Sequence, residues 1–111
     1  MPNPLTIRKT YNSFNYVTGT STTLTGVLLD DFFDIVVKGD WTGASTAKTI
    51  DLTVAGSTRD TVGVKQAATA DKLPWYLCFQ YLAPSTANIS VSVAASGGTL
   101  ANVKIRILRF R

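Results

Sequence analysis

The chain has 111 residues, a mass of 11.9 kDa and a formal net charge of +4, so it has the size of a single domain. It contains no His, and seven Asp are its only acidic residues. Since His is the commonest general base and metal ligand, most hydrolytic and metal-dependent mechanisms are hard to build here, and we predict no enzyme activity and no cofactor. The lone Cys78 cannot form an intrachain disulfide, and we expect it to pack as a small apolar residue.

Alternation of apolar and polar residues predicts β-strands along the whole chain. In chain order the candidate strands are residues 5–9, 14–18, 22–29, 33–38, 49–54, 59–64, 75–82, 88–93 and 103–107. No window has a helical stripe, and turn signals such as 38–40 and 97–98 separate the strands. We therefore predict an all-β fold for residues 1–111, an antiparallel β-sandwich of the jelly-roll kind with about eight short strands.

Two of these strands have special features. Residues 75–82 are apolar on both faces, which predicts a central strand covered from both sides. The alternation of the last strand slips at Leu108, which predicts a bulge or a change of partner there.

Residues 1–18 form either a plain first strand or an extended arm that reaches a neighbouring chain. They combine the basic pair Arg8 and Lys9 with Tyr11, Phe14 and Tyr16 among small polar residues. The start of the sequence has no basic-then-apolar signal pattern, and no apolar run approaches the length of a membrane helix. We expect a chain that is made in a host cytoplasm and has no membrane partner.

Charge is unevenly distributed along the chain. Residues 1–29 carry +2, residues 30–71 carry −3, and residues 72–111 carry +5 with no acidic residue. In the last strand, Lys104 and Arg106 share the face opposite the apolar positions. This row could meet phosphate or an acidic protein surface, or it could protect an edge strand from self-pairing. Nucleic acid is a weaker expectation, because the aromatic residues fall in the predicted core strand.

Two features bear on small ligands. Asp30, Asp31 and Asp34 form the only acidic cluster, but they lack the spacing of a calcium loop, so we predict no metal site. Trp41 lies in a predicted turn, residues 39–43, where an exposed indole could stack on a sugar ring. We favour the alternative that Trp41 caps the open end of the core or anchors a protein contact.

The order of strands and turns after Lys48 resembles a known family. An alternating strand at 50–54 precedes a Gly-containing turn, a polar stretch to Lys72, the apolar strand entered by 73–77, Pro84, a Thr/Ser-rich strand, Gly97-Gly98 and a last strand ending at 110–111. This layout resembles the small single jelly-roll proteins of icosahedral bacteriophage capsids, which serve as cement, decoration or vertex subunits. The resemblance implies a virion protein that forms a homo-oligomer, a trimer or pentamer, and locks neighbouring copies of the major capsid protein together.

On this resemblance, basic residues would face an acidic capsid surface and aromatic residues would anchor the contact. The predicted partner-binding residues are Arg8, Lys9, Tyr11, Phe14, Tyr16, Trp41, Lys104, Arg106, Arg109 and Arg111. Two alternatives remain open at this point. One is a carbohydrate- or receptor-binding β-sandwich module of a fibre or spike, and the other is a basic β-barrel that binds nucleic acid.

Overall fold

The computed structural model describes residues 11–43, 46–65 and 72–111. Every regular element in these residues is a β-strand, and none of them forms a helix that is long and apolar enough to span a membrane. The strands are β1 (Tyr11–Thr18), β2 (Ser21–Leu24), β3 (Phe32–Thr42), β4 (Lys48–Val54), β5 (Ser57–Val64), β6 (Leu73–Leu82), β7 (Ile89–Ala95) and β8 (Thr99–Phe110). Within the segment predicted as a first strand or an arm, residues 11–18 form β1, which pairs with β8 of the same chain, whereas residues 1–10 lie outside the described part of the chain.

The strands form two four-stranded antiparallel sheets. Sheet A has the order β1-β8-β3-β6 and sheet B has the order β2-β7-β4-β5. The first strand thus pairs with the eighth, the second with the seventh, the third with the sixth and the fourth with the fifth. A long hairpin rolled around a core gives this pairing, which is the jelly-roll topology. The predicted all-β jelly-roll sandwich is confirmed.

The core lies between the sheets and is built by the alternation seen in the sequence. Ile50, Leu52 and Val54 of β4 are fully buried while the residues between them face outward. β7 and the middle of β8 alternate in the same way, as predicted. Each such aliphatic side chain contributes about 1.5–3 kcal/mol when it is fully buried. The largest fully buried side chains are Trp41, Phe33, Leu24, Ile35, Ile50, Leu52, Leu77, Ile105 and Ile107.

The sandwich is closed on its β5–β6 side by polar residues of β5. The Arg59 guanidinium lies over the rings of Phe79 and Tyr81, at 5.3 and 5.4 Å from their centroids, and Arg59 Nε donates to the Val54 carbonyl. The backbone amide of Cys78 in β6 donates to the Asp60 carboxylate at 3.0 Å. β5 thus occupies part of the free edge of β6, which would otherwise be open to another strand.

The prediction that residues 75–82 form a central, doubly covered strand is wrong. β6 is an edge strand of sheet A. Trp75 and Leu77 point into the core, whereas Tyr76 is 70% exposed and Cys78 is exposed on the opposite face. The expectation that Cys78 packs as a small apolar residue is therefore wrong, because its side chain is exposed. Apolar residues on an outer face give the same two-sided pattern in a sequence as a buried strand, which is why the pattern misled.

The turn predicted around residues 38–40 is also absent, because β3 continues to Thr42. Gly39 lies within the strand, where a Cβ atom would come 3.0 Å from the Trp75 ring and from the Ala101 carbonyl oxygen. The glycine therefore makes room for an indole rather than a turn. Beside it the register with β8 shifts at a bulge around Asn102, whose φ is 54°.

The irregularity predicted at Leu108 does not interrupt β8. β8 keeps both neighbours as far as Phe110, and the register shift at this end lies in β1, between Tyr11 and Ser13. The slip in alternation has a different origin, because Arg109 and Arg111 fold back onto their own chain, as described below.

Candidate functional site

The outer face of sheet A carries four of the predicted partner-binding residues, Tyr11, Tyr16, Lys104 and Arg106. Cross-strand pairing arranges this face in rows that run across all four strands. One row consists of Tyr16, Arg106, Val36 and Cys78, and the next consists of Thr18, Lys104, Lys38 and Tyr76.

An apolar row lies at one end of this face, formed by Tyr11, Phe110, Phe32 and Leu82. The rings of Tyr11 and Phe110 meet edge to face at 5.9 Å, and Phe32 and Phe110 lie 6.1 Å apart. Tyr11 is 53% exposed and Leu82 is 52% exposed. Four strands from distant parts of the sequence thus contribute one continuous apolar band, which is the kind of patch that marks interaction surfaces.

The loop between β2 and β3 extends this apolar band at the end of the sheet. Backbone hydrogen bonds join Asp30 and Asp31 to Ala83, the residue that follows Leu82, at 2.9 and 2.8 Å. The same loop carries Leu28 and Leu29, which are both more than half exposed. Among the described residues, every large apolar or aromatic side chain that is at least half exposed therefore lies on the outer face of sheet A or in the loop at its end.

A cationic cavity of about 150 Å³ lies in the middle of the same face. It is lined by Tyr16, Val36, Lys38, Lys104 and Arg106. The Lys104 ammonium lies 5.8 Å from the centroid of the Tyr16 ring, a cation–π contact. The cavity therefore combines three cations, a phenol and an apolar floor.

A wider, more open cleft of about 280 Å³ adjoins the cationic cavity and shares Lys38 and Lys104 with it. Its polar groups include Asp40 and Asn102, and the Asn102 amide donates to the Asp40 carboxylate at 2.9 Å. Pro74 and Trp75 line its other side. We call this the Asn102 cleft.

The structure brings together Tyr11, Tyr16, Lys104 and Arg106 among the residues predicted to bind a partner. The backbone of Phe14 pairs with Leu108 between them, and nothing is described of its side chain. Arg8 and Lys9 lie outside the described residues. Sequence reasoning missed Lys38, Asp40, Tyr76 and Asn102, since only the long-range pairing of β3 with β6 and β8 places them on this face.

Arg109 and Arg111, two of the predicted partner-binding residues, make hydrogen bonds within the chain. The Arg109 guanidinium lies 5.0 Å from the centroid of the buried Phe33 ring and donates to the Thr25 carbonyl at 2.9 Å. Arg111 donates to the Gly26 carbonyl at 2.8 Å and to the Asp31 carboxylate at 3.0 Å. The two arginines fasten the β2–β3 loop to the end of β8.

Asp31 is the buried member of this arrangement. Its side chain is 2% exposed and also accepts a hydrogen bond from the Leu28 amide at 2.9 Å. Burial by itself disfavours the charged carboxylate, but the Leu28 amide and the Arg111 guanidinium outweigh it and hold the pKa of Asp31 below its ordinary value. In the residues described, no group of three or more Asp and Cys side chains could hold a metal ion.

Trp41 is fully buried, so it is not the exposed anchor that the partner-binding prediction required. Its indole N–H donates to the Gly97 carbonyl at 2.8 Å. A Cβ atom on Gly43 or on Gly98 would overlap the indole, so these two glycines leave the space that the ring occupies. The favoured alternative, in which Trp41 caps the end of the core, is confirmed, and stacking of this indole on a sugar is excluded in this conformation.

The outer face of sheet B has a contrasting chemistry. One row across its four strands consists of Ser21, Ser92, Thr53 and Thr58. Small hydroxyl side chains on a flat sheet offer little apolar area to a partner, so the two outer faces of the sandwich differ sharply.

Comparisons with known proteins do not assign the chain to a family. No family model and no curated protein matches the sequence. One solved structure that is similar to the chain is described as the EclA C-terminal domain, a sugar-binding protein. The two sequences are 18% identical, the TM-score is 0.49, and the alignment covers 100% of this chain and 87% of the other. A likeness at this level carries no inference about the ligand of this chain.

Proposed function

We propose that the chain is a contact module of an assembled shell, a structural virion subunit of the cement, decoration or vertex type. In this proposal it binds the major capsid protein through the outer face of sheet A and stabilises the shell by protein–protein contacts. The observation that carries the proposal is the concentration of exposed Tyr, Leu and Arg side chains on this one face. Protein interfaces are enriched in aromatic residues and Arg, and apolar patches on a monomer mark such interfaces.

Contact rather than catalysis is supported by the state of the charged groups. The chain has no His, and Asp34 on this face already pairs with Arg106 at 3.9 Å. Asp40 accepts a hydrogen bond from Asn102. The jelly roll is used by capsid domains and by lectin domains alike, so the topology is compatible with the proposal but does not select it.

A carbohydrate-binding module is the second candidate, favoured by the Asn102 cleft. The cleft places a carboxylate and an amide opposite Pro74 and the edge of Trp75. Polar groups that can bind sugar hydroxyls beside an apolar wall are the usual components of a small-ligand site. In this candidate, Asp40→Asn removes a carboxylate acceptor without changing the shape of the cleft, and binding on a glycan array falls.

The test of the main proposal is co-sedimentation with shells assembled from the major capsid protein of the same virus. The face variant combines Tyr16→Ser with Arg106→Glu, and the control is Ser92→Glu on the outer face of sheet B. We expect the face variant to bind about tenfold or more weakly, because it loses an aromatic and a charged contact, whereas the control binds like the parent chain. Equal occupancy of shells by both variants would contradict the proposal, and glycan binding that is lost only in Asp40→Asn would favour the second candidate.

A further inference from the structure

The cationic cavity contains an arrangement that costs the isolated chain stability. Lys38 and Lys104 are direct cross-strand partners in β3 and β8, and like charges at directly opposed positions destabilise a sheet. Among the residues that the structure describes, no acidic side chain lines the cavity. The two ammonium groups therefore repel each other, and an anion bound between them would reduce this repulsion.

The third cation of the cavity is incompletely neutralised. Arg106 has Asp34 as its acidic partner, but the closest approach of their charged atoms is 3.9 Å, and the Arg106 side chain is 44% exposed. Such a long, exposed pair contributes little free energy. The three cations and Asp34 together leave a local charge of +2 around the cavity.

We propose that this cavity binds a doubly charged tetrahedral oxyanion, a sulfate or phosphate group. The local charge of +2 matches the charge of sulfate, and that of a phosphate monoester above its second pKa. Lys38 and Lys104 would supply ammonium donors, Arg106 a guanidinium fork and Tyr16 a hydroxyl. A carboxylate, with one negative charge, leaves one of the cations uncompensated and binds more weakly. This inference does not depend on which partner the outer face contacts.

Size and shape agree with a small anion rather than a large one. The cavity of about 150 Å³ is walled on one side by the Tyr16 ring, which the Lys104 ammonium holds by a cation–π contact. Val36 forms an apolar floor between the cations.

The experiment is an NMR titration of the ¹⁵N-labelled chain with sodium sulfate, glycerol 3-phosphate and acetate at matched ionic strength in sodium chloride. Each is run with the parent chain, with Lys104→Gln and with Lys65→Gln, which removes a lysine at the end of β5 in sheet B. We expect saturable shifts at residues 36–38 and 104–106 with sulfate and phosphate. We expect Lys104→Gln to weaken the binding of both anions by about tenfold, because it removes one charge-assisted hydrogen bond. Lys65→Gln should leave both affinities unchanged.

A second arm uses pH to identify the charge of the ligand. The chain has no His, the side chain whose ordinary pKa lies between about pH 5 and pH 7.5. The phosphate monoester, with a second pKa of about 6, changes from one negative charge to two in this window, whereas sulfate keeps two. Glycerol 3-phosphate should therefore bind more weakly at the lower pH while sulfate binding stays constant.

Three results would overturn the oxyanion proposal: shifts that do not saturate beyond the chloride control, acetate that binds as tightly as sulfate, or Lys65→Gln that loses as much affinity as Lys104→Gln. In one outcome the parent chain binds sulfate and phosphate, and the face variant still binds shells like the parent chain. This outcome would uphold the oxyanion site and contradict the contact module.

Discussion

At the scale of single residues, the glycines around Trp41 decide how the end of the core is packed. Gly43 and Gly98 lie against the indole, and Gly98 has a φ of +77°. In the sequence, glycines around a tryptophan indicate a turn with an exposed ring. The structure shows that they make space for a ring inside the core. Local sequence cannot separate these two cases, because the partners that fill the space come from residues far along the chain.

Gly98→Ala is expected to destabilise the fold by about 2–4 kcal/mol, since it adds backbone strain at a positive φ and a Cβ atom that overlaps the Trp41 indole. The matched control is Gly63→Ala, where a Cβ atom meets nothing within 4 Å. Urea denaturation followed by tryptophan fluorescence measures both. Equal midpoints for the two variants would show that the slot around Trp41 is not tightly packed.

The ion pair between the buried Asp31 and the partly exposed Arg111 makes the stability of the fold depend on pH in the acidic range. Because the pKa of Asp31 is lowered in the folded state, its ion pair stabilises the fold above the unfolded pKa of about 3.9, and this contribution is lost as the pH falls through the lower folded value. Asp31→Asn should cost about 1–3 kcal/mol at neutral pH, and the difference from the parent chain should shrink below about pH 4.

Denaturant midpoints between about pH 2 and pH 7 test this dependence. Asp51→Asn on the outer face of sheet B serves as the control, since Asp51 accepts a hydrogen bond from the exposed Thr61 hydroxyl and has no cationic partner in the structure described. A cost of Asp31→Asn that stays constant over the whole range would contradict a role for its ionised form.

At the scale of elements, the accuracy of each strand prediction depends on which side chains lie on the two faces of that strand. β4, β7 and β8 were predicted from alternation because one face is buried and the other is polar. β6 was misread because its outer face is apolar yet exposed, and β3 because Gly39 resembles a turn residue. The local pattern records side-chain chemistry, whereas the position of a strand in its sheet depends on pairing with distant segments.

The β4–β5 hairpin offers a stabilising change. Ala55 and Gly56 both have positive φ values, 54° and 81°, which are the values of a two-residue type I′ turn. Ala is strained at the first of these positions, whereas Asn tolerates it. We expect Ala55→Asn to stabilise the fold by about 0.5–1 kcal/mol and Gly56→Ala to destabilise it by a similar amount. Thermal unfolding of the two variants checks the opposite signs, and a lower Tm for Ala55→Asn would contradict the turn type.

The end of β8 allows two arginines of the same strand to be compared. Arg109 holds the β2–β3 loop through the carbonyls of Thr25 and Gly26, while Arg106 is exposed on the outer face. Arg109→Glu should lower stability by about 2–3 kcal/mol, because it replaces these donors with an acceptor. Arg106→Glu should cost less than about 1 kcal/mol, because an exposed ion pair contributes little. Similar losses of Tm in both variants would contradict this division of roles.

At the scale of the whole molecule, the jelly roll assembles the proposed contact face from strands that are distant in the sequence. Tyr11, Phe32, Leu82 and Phe110 are spread over the length of the described chain, yet they form one row across sheet A. The sequence predicted several members of the face from their chemistry, but only the strand order reveals which of them share it. The same order leaves the opposite face of the sandwich with mostly small hydroxyl side chains, so the two outer faces differ among the residues that the structure describes.

Cys78 provides the most direct test that the outer face of sheet A is the contact surface. It is the only cysteine of the chain and lies exposed on this face, on the edge strand β6 beside Val36. The measurement is the rate at which a thiol-reactive dye labels Cys78 in the free chain and in the assembled particle. The control carries Cys78→Ser with Ser92→Cys, which moves the single thiol to the outer face of sheet B. We predict that assembly protects Cys78 and leaves the control thiol reactive. If Cys78 labels equally fast in both states while the thiol at position 92 becomes protected, the contact surface lies on the opposite face.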